Sequence, residues 1–286
     1  TASPAAGIAN PRGEYNCFLN VIVQALWHVE DFRAALMQTQ SSDKLVAALK
    51  NIFDDLAAAH AADGSANGVK AVSPESLRVA LSDENGSLFK LGDMADAAEA
   101  FEALLAHLKR SGAEAASAVF EAALVDPPGA SEQQPQPYQA YVIYANVAAM
   151  RDVGGRGKPF EDVLRLVTGA GSPMSAASAV SGERRKMAIG PLPHVFTLGL
   201  AWDSARPSKD ALEAALELID EKVDLAKVLA GVEGPKPAVL CGLVCYHAQH
   251  YIALVKDPNS DTWLHFDDSN VTSIGESWLD VRFKCT

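Results

Sequence analysis

One cysteine in this sequence has the surroundings that a catalytic nucleophile requires. Cys17 stands just before the mostly apolar, helix-favouring residues of "GEYNCFLNVIVQALW" (13–27). The first turn of a helix has unpaired N–H groups and partial positive charge, so we expect a lowered pKa and a reactive thiolate for Cys17. The position suits a buried, inert cysteine equally well, because free cysteine packs as a small hydrophobe. Cys17 alone therefore specifies no chemistry, and a base must come from elsewhere.

A candidate base lies in "HYIALVKDPNSDTWLHFDDSNV" (250–271), where His250 opens one apolar strand and an acidic pair closes the next. Antiparallel pairing of these strands would bring His250 and Asp267 together. In a cysteine hydrolase, a histidine activates the thiol and a carboxylate orients the histidine ring, and these two residues suit those roles. Strand alternation puts Asp268 on the opposite face from Asp267, so the two aspartates cannot do the same job. His265 is the rival base, although its position inside the strand favours a packed or surface histidine.

The segments around these residues divide the chain into a helical part and a β-rich part. From residue 17 to about 36, apolar residues fill nearly every side, with a polar stripe at Asn20, Gln24 and His28. This pattern indicates a helix that is buried on most sides. Only helices are expected up to residue 125, over 43–62, 73–81, 93–110 and a shorter alanine-rich stretch that ends at 125.

The proline-rich segment "DPPGASEQQPQP" (126–137) can neither extend a helix nor fill a central strand, so we interpret it as a linker. Beyond it, β-branched and aromatic runs predict strands, with helices over 159–167, 209–219 and 277–284. The sequence thus predicts an α+β fold: a helical part over 1–125, the linker over 126–137 and a β-rich part over 138–286.

Composition limits the classes of partner. The 286 residues are 49% hydrophobic and carry a formal net charge of −12. This charge argues against non-specific binding to nucleic acid or anionic membrane and favours a basic partner. No apolar run approaches the ~18 residues that a membrane helix needs, and no signal sequence opens the chain. We therefore expect a cytoplasmic or nuclear protein.

The four cysteines contain no CxxC pair, which argues against a disulfide framework and a cysteine-rich zinc site. Cys241 and Cys245 lie four apart on a predicted strand, where buried thiols are the simpler interpretation. A metal site that adds His247 and His250 is the alternative, but this spacing on a strand rarely converges tetrahedrally. The sequence predicts no bound zinc and no cofactor.

Three motifs carry a resemblance to a known family. "GIANPRGEYNCFLNVIVQALWHVEDF" (7–32) resembles the cysteine motif of ubiquitin-specific proteases, and "CYHAQHYIALV" with "TWLHFDDSNV" resembles their histidine motif. "MADAAEAF" (94–101) is similar to the family's Q-Q-D-A-x-E-F block and retains Asp96 and Glu99. The segments "GEYNCFLNVIVQALW" (13–27), "SPESLRVAL" (73–81) and "PLPHVFTLGLAW" (191–202) look like the plant and algal branch of ubiquitin carboxyl-terminal hydrolase-related proteins. That branch shares its elongated cysteine motif with a divergent animal group often labelled inactive.

The resemblance implies one catalytic domain over 1–286 with a papain-like, right-hand architecture: a helical thumb, an antiparallel β palm and fingers that hold ubiquitin. It implies hydrolysis of isopeptide or peptide bonds at the C-terminal glycine of ubiquitin through a thioester. By motif position, Cys17 is the nucleophile, His250 the general base and Asp267 the residue that orients it. Asp268 corresponds to the second aspartate that supports the site. The net negative charge of the chain, together with Asp96 and Glu99, suits the arginines of the ubiquitin tail.

The chain departs from the family pattern at two places. The position five residues before the cysteine, which is asparagine in most members, is Arg12 here; Asn10 matches it if the loop bulges, and Asn16 is a second candidate donor to the oxyanion. The paired zinc-binding cysteines of many fingers regions are absent, and the glycine- and serine-rich segments "VGGRGK" and "TGAGSPMSAASAVSGERRK" predict reduced fingers. Two alternatives therefore stay open: a weakly active or inactive ubiquitin-binding scaffold, and an unrelated papain-like hydrolase.

Overall fold

The computed structural model of the chain describes residues 5–61, 71–81, 89–126, 136–155, 157–169 and 186–286. These residues form helices and sheets in two compact units. The first unit combines residues 1–119 with 241–285, and the second consists of residues 120–240. The first unit is therefore built from the two ends of the sequence, and all the candidate site residues lie in it.

The helices of the described residues begin and end as follows: α1 Cys17–Trp27, α2 Glu30–Gln38, α3 Lys44–Ala61, α4 Glu75–Leu81, α5 Ala97–Arg110, α6 Glu114–Ala118, α7 Val147–Gly154, α8 Phe160–Gly169, α9 Lys209–Leu218, α10 Leu225–Val228 and α11 Trp278–Cys285. None of them has the length and apolar character that a membrane crossing requires.

The strands of the described residues are β1 Ala122–Val125, β2 Tyr138–Ala140, β3 Ile143–Asn146, β4 Met187–Ala188, β5 Leu198–Ala201, β6 Lys222–Asp224, β7 Pro237–Val239, β8 Gly242–His247, β9 His250–Lys256, β10 Trp263–Asp267 and β11 Asn270–Gly275. The mixture of helix and sheet agrees with the predicted α+β class.

The first unit packs α1 against an antiparallel sheet whose strand order is β11-β10-β9-β8. Every residue of α1 except Ala25 is buried, as its nearly continuous apolar pattern predicts. The helix lies against β9, the strand that His250 opens. Burial of α1 therefore fixes Cys17, its first residue, beside the sheet that carries the histidine.

The described residues of the second unit form three small sheets. One has the order β2-β1-β4, β3 pairs in parallel with β5, and β6 pairs with β7 in the antiparallel sense. The helices α7 to α10 complete this unit.

The predicted helix over 17–36 is two helices in the structure. Val29 is extended and separates α1 from α2. Arg33 Nη1 donates to the carbonyl oxygen of Trp27 at 2.7 Å, so a side chain satisfies one of the carbonyls that a helix end leaves without a partner. Glu30 and Asp31 lie in the first turn of α2, where negative charge stabilises a helix start.

The prediction of a purely helical chain up to residue 125 is wrong at its end. The alanine-rich stretch forms the short helix α6 and then the strand β1. β1 pairs with β2, with Leu124 opposite Tyr138, so pairing with residues beyond the proline-rich segment overrides the helical preference of alanine. The sequence reasoning also missed α7, although Asn146 is a visible cap, accepting from the backbone N–H of Ala149 at 2.8 Å.

Two sequence predictions fall largely outside the described residues. They are the linker over 126–137, of which 127–135 lie outside, and the glycine- and serine-rich segment over 168–186, of which 170–185 lie outside. The compact units themselves divide at 119/120 and 240/241, which groups the strands β8 to β11 with the N-terminal helices.

Candidate active site

A tight hairpin places His250 at the start of β9. His247 of β8 pairs with His250, and the two residues between them, Ala248 and Gln249, have φ values of 50° and 65°. Two successive left-handed residues form the kind of turn that suits the twist of a two-residue hairpin. β10 runs antiparallel to β9, with Phe266 opposite Ala253, so the end of β10 returns to the start of β9.

This strand pairing brings His250 and Asp267 into contact. His250 Nε2 lies 2.7 Å from Asp267 Oδ1, and both side chains are partly exposed. The carboxylate thus holds the Nε2 N–H and fixes the plane of the ring, which leaves Nδ1 as the nitrogen that can act as a base.

Asp268 points to different partners. Its φ of 52° turns the chain after β10. Its Oδ2 accepts from Asn10 Nδ2 at 2.8 Å and its Oδ1 accepts from Asn20 Nδ2 at 2.7 Å, while His250 Nε2 lies 3.9 Å away. The two neighbouring aspartates therefore do different work: Asp267 holds the histidine and Asp268 holds two amides.

The N-terminal segment reaches Asp268 because a glycine permits a close approach. A Cβ on Gly7 would lie 2.5 Å from the backbone of Ser269, closer than side chains tolerate. The next residue, Ile8, donates its N–H to the carbonyl oxygen of Asp268 at 3.0 Å. This backbone contact carries Asn10 to the end of β10.

Asn10 and Asn16 are linked to each other in front of α1. The backbone N–H of Asn16 donates to Asn10 Oδ1 at 2.8 Å, and Asn16 Nδ2 donates to Glu14 Oε2 at 2.8 Å. Asn16 occupies the N-cap position, but its side chain makes no capping hydrogen bond. The amide nitrogen of Asn16 is thus held by Glu14, while its buried Oδ1 has no hydrogen-bond partner among the described residues.

Cys17 begins α1, as predicted, but its thiol is covered. Cys17 is only 1% exposed, and its Sγ lies 3.9 Å from Met94 Sδ. Among the described residues the thiol makes no hydrogen bond to His250. Burial raises the pKa of Cys17 above its ordinary value, and the carboxylate of Asp268 raises it further, whereas hydrogen bonding to the backbone of Tyr251 and to the helix start lowers it. The expectation of a lowered pKa is wrong, because burial outweighs the helix start.

The rival base, His265, is packed inside the sheet. It is buried on β10, and its Nδ1 lies 3.4 Å from Thr272 Oγ1 of the neighbouring strand. Burial lowers the pKa of His265, with nearby Lys284 adding to the effect. Its surroundings are those of a structural histidine.

Comparison with known proteins adds to this geometry. The family model described as "Ubiquitin carboxyl-terminal hydrolase" matches residues 6–282. The chain belongs to the ubiquitin carboxyl-terminal hydrolase family. It is 30% identical to ubiquitin carboxyl-terminal hydrolase 53 of Homo sapiens and 27% identical to ubiquitin carboxyl-terminal hydrolase 54 of Mus musculus, in each case over 99% of this chain. The match covers 29% and 20% of those two proteins, so the chain spans less than a third of their length.

In this member of the hydrolase family, the acidic residues of the "MADAAEAF" segment lie at the start of α5. Asp96 is the N-cap, and its Oδ1 accepts from the backbone N–H groups of Ala98 and Glu99 at 2.8 and 3.0 Å. Asp96 and Glu99 are both exposed. The hydroxyl of Tyr251 accepts from the N–H of Ala97, which joins the helix start to the residue after His250. Met94 and Tyr251 were not singled out by sequence reasoning, and neither carries a pattern that would have revealed its contact.

The other three cysteines of this hydrolase-family chain lie just before β8, on β8 and at the end of α11. Cys241 is exposed, which contradicts the expected buried thiol; it lies just before β8 and not on the strand. Cys245 Sγ instead lies 3.8 Å from Cys285 Sγ of α11.

One cluster of side chains that could ligate a metal ion is found among the described residues. It consists of His250, Asp267 and Asp268, whose ligand atoms lie within 4.8 Å of one another. Each of these side chains already has a protein partner, Asp267 for the histidine and two amides for Asp268. These three residues therefore suit a histidine–carboxylate pair with a neighbouring supporting aspartate better than a metal centre.

Proposed function

We propose that this chain is the catalytic domain of a deubiquitinating cysteine protease. In this proposal the helices of the first unit form the thumb and its sheet the palm of a papain-like right hand. The substrate is ubiquitin joined through its C-terminal glycine to an amine, and no cofactor takes part. Cytoplasm and nucleus are the compartments proposed for it.

The observation that carries the proposal is the 2.7 Å contact between His250 Nε2 and Asp267 Oδ1, on the sheet against which α1 packs. Cys17, the first residue of α1, is hydrogen-bonded to the backbone of Tyr251, the residue after His250. In the reaction, His250 Nδ1 takes the proton of the Cys17 thiol, and the thiolate attacks the carbonyl carbon of the ubiquitin terminus. The amine leaves with a proton from His250, and water then hydrolyses the thioester with His250 acting as base. Asp267 holds the ring and stabilises its charged form.

The oxyanion of each tetrahedral intermediate needs hydrogen-bond donors. The backbone N–H at the start of α1 supplies one, and we assign the second to Asn10. Only one hydrogen of Asn10 Nδ2 is directed at Asp268, so the other is available to the oxyanion. Asp268 thereby supports the site by holding Asn10.

Capture by ubiquitin that bears a C-terminal propargylamide tests this proposal, because adduct formation requires both a reactive thiol and a ubiquitin site. We expect an adduct with the wild type and with Cys241→Ala, which removes an exposed thiol, and none with Cys17→Ala. Turnover of a fluorogenic ubiquitin amide should follow the same order. Absence of both adduct and turnover in the wild type would refute the proposal that this chain is an active protease.

A second candidate function is a ubiquitin-binding scaffold without hydrolytic activity. The covered thiol of Cys17, in contact with Met94 and with a raised pKa, is the observation that favours it. This candidate predicts measurable binding of unmodified ubiquitin in calorimetry together with no capture and no turnover.

A further inference from the structure

Arg78 is a buried cation that the roles assigned so far do not use. It lies on α4, and only 1% of it is exposed. Burying a guanidinium is costly unless its N–H groups find acceptors, so its partners indicate what it is for. Burial lowers the pKa of Arg78, while Asp93, Cys17 and Glu14 raise it by their charges.

One contact of Arg78 reaches the loop before Cys17. Nη1 lies 3.5 Å from the carbonyl oxygen of Tyr15. Tyr15 has φ 53°, a left-handed conformation that costs energy for a non-glycine residue. Its successor, Asn16, then directs its N–H to Asn10 Oδ1. The strained residue thus sets the direction of the chain as it enters α1.

The other contacts of Arg78 reach the segment before α5. Nη2 donates to the carbonyl oxygens of Lys90 and Asp93, the latter at 2.8 Å. The residue after Asp93 is Met94, whose sulfur touches the Cys17 thiol. The central carbon of the guanidinium also lies over the ring of Phe18, 4.5 Å from its centre, so the group packs on the first turn of α1.

We propose that Arg78 is a positioning residue for the hydrolysis, because its guanidinium joins the loop before Cys17 to the segment before Met94 and so holds both sides of the nucleophile. The inference rests on the proposed function for its catalytic consequence, whereas the joining of the two segments does not. Arginine is required because a planar fork can serve carbonyls on two segments while stacking on an aromatic ring. A lysine ammonium offers one point of attachment and no stacking plane.

Amide hydrogen exchange tests the joining of the two segments without relying on activity. In Arg78→Met and Arg78→Lys we expect exchange in residues 13–17 and 90–94 to become about tenfold faster, with the amides of α3 unchanged. Arg33→Met is the matched control, because Arg33 likewise stacks on an aromatic ring of α1, Trp27, and donates to a carbonyl, but at the opposite end of that helix. It should leave exchange in both segments as in the wild type.

Kinetics test the catalytic consequence. On a fluorogenic ubiquitin amide, Arg78→Lys should lower kcat about tenfold or more and change KM less than about threefold, since misplacement affects the transition state more than ubiquitin binding. Arg33→Met should keep kcat within about twofold, as expected for a change remote from the chemistry.

The possible failures are distinguishable. Exchange that does not change, or that rises equally in α3, would overturn the inference, because Arg78 would then be a general structural residue. Faster exchange with an unchanged kcat would also overturn it. A wild type without any turnover would refute the proposed function alone, and the exchange measurement would still decide whether Arg78 joins the two segments.

Discussion

Asn10 and Asp268 are joined side chain to side chain, Nδ2 to Oδ2 at 2.8 Å, across 258 positions of the sequence. The second oxygen of Asp268 accepts from Asn20 at 2.7 Å, so one carboxylate ties the N-terminal segment and α1 to the end of β10. In this chain the alignment of Cys17 with the strand of His250 therefore depends on a carboxylate outside the His250–Asp267 pair.

Replacing Asp268 by Asn should destabilise the first unit. The amide keeps the shape of the carboxylate, but its NH2 group faces an NH2 donor and the charge is lost. We expect the free energy of unfolding to fall by about 2 to 3 kcal/mol, the size of a lost hydrogen bond to a charged group. Urea unfolding measures this loss. Asp55→Asn, on the exposed side of α3, is the control and should stay within about 0.5 kcal/mol of the wild type.

Replacing Asn10 by Ala should remove an oxyanion donor. We expect kcat on a ubiquitin amide to fall about 100-fold with KM nearly unchanged, because the lost hydrogen bond forms mainly in the transition state. Steady-state kinetics and calorimetric ubiquitin binding separate the two effects. Undiminished turnover would exclude Asn10 and direct attention to Asn16.

Alkylation of Cys17 should depend on pH as a raised thiol pKa requires. Because burial disfavours the thiolate, the free protein holds less thiolate at pH 7 than a free cysteine does, and the rate should keep rising where a free cysteine derivative has levelled off. Iodoacetamide labelling followed by mass spectrometry of the peptide containing Cys17 gives the profile. An inflection below that of the free derivative would contradict the prediction.

Shortening Met94 to Ala should uncover the thiol. The Met94 sulfur lies 3.9 Å from Cys17 Sγ, so its removal opens a path for a small electrophile. We expect iodoacetamide labelling of Cys17 at pH 8 to become roughly five- to tenfold faster, as a more exposed and better solvated thiol ionises and reacts more readily. Leu91→Ala, an exposed apolar residue of the same segment, is the control. Equal labelling in both variants would show that another group shields the thiol.

Oxidised glutathione should link Cys245 to Cys285. Their sulfurs are 3.8 Å apart, so a small rotation brings them to bonding distance; the two thiols lose two hydrogens and the reagent becomes two molecules of glutathione. Non-reducing peptide mapping should show this crosslink in the wild type and in Cys241→Ser. A crosslink that forms equally to Cys241 would contradict the geometry.

The candidate site was predictable to the extent that it depends on strand alternation and motif spacing. Antiparallel pairing alone indicates that His250 and Asp267 meet and that Asp268 faces elsewhere. The pKa of Cys17 was not predictable, because the helix start is visible in the sequence whereas the cover by Met94 depends on tertiary packing. Asn20 was noticeable as a polar residue in an apolar helix, but its partner, Asp268, is known only once the sheet is in place.

The fold was predictable where local pattern and tertiary context agree. α3 and α9 lie close to their predicted positions, because their apolar faces and starting residues point to the same structure. Their alanine content predicts a helix for the residues after Ala118, yet β1 forms there through a partner strand that begins at Tyr138. Local propensity cannot report a partner that lies beyond an intervening segment.

The first unit takes its sequence from both ends of the chain, residues 1–119 and 241–285, and this order has a consequence during biosynthesis. Cys17 is translated long before His250, and at synthesis rates of about 5 to 20 residues per second the interval is roughly 10 to 50 seconds. During that interval α1, buried on nearly all sides in the finished protein, has no β9 to cover it. A nascent chain therefore exposes the apolar residues of α1, a surface of the kind that chaperones bind, and Cys17 meets the strands of His250 and Asp267 only after β9 and β10 have been synthesised.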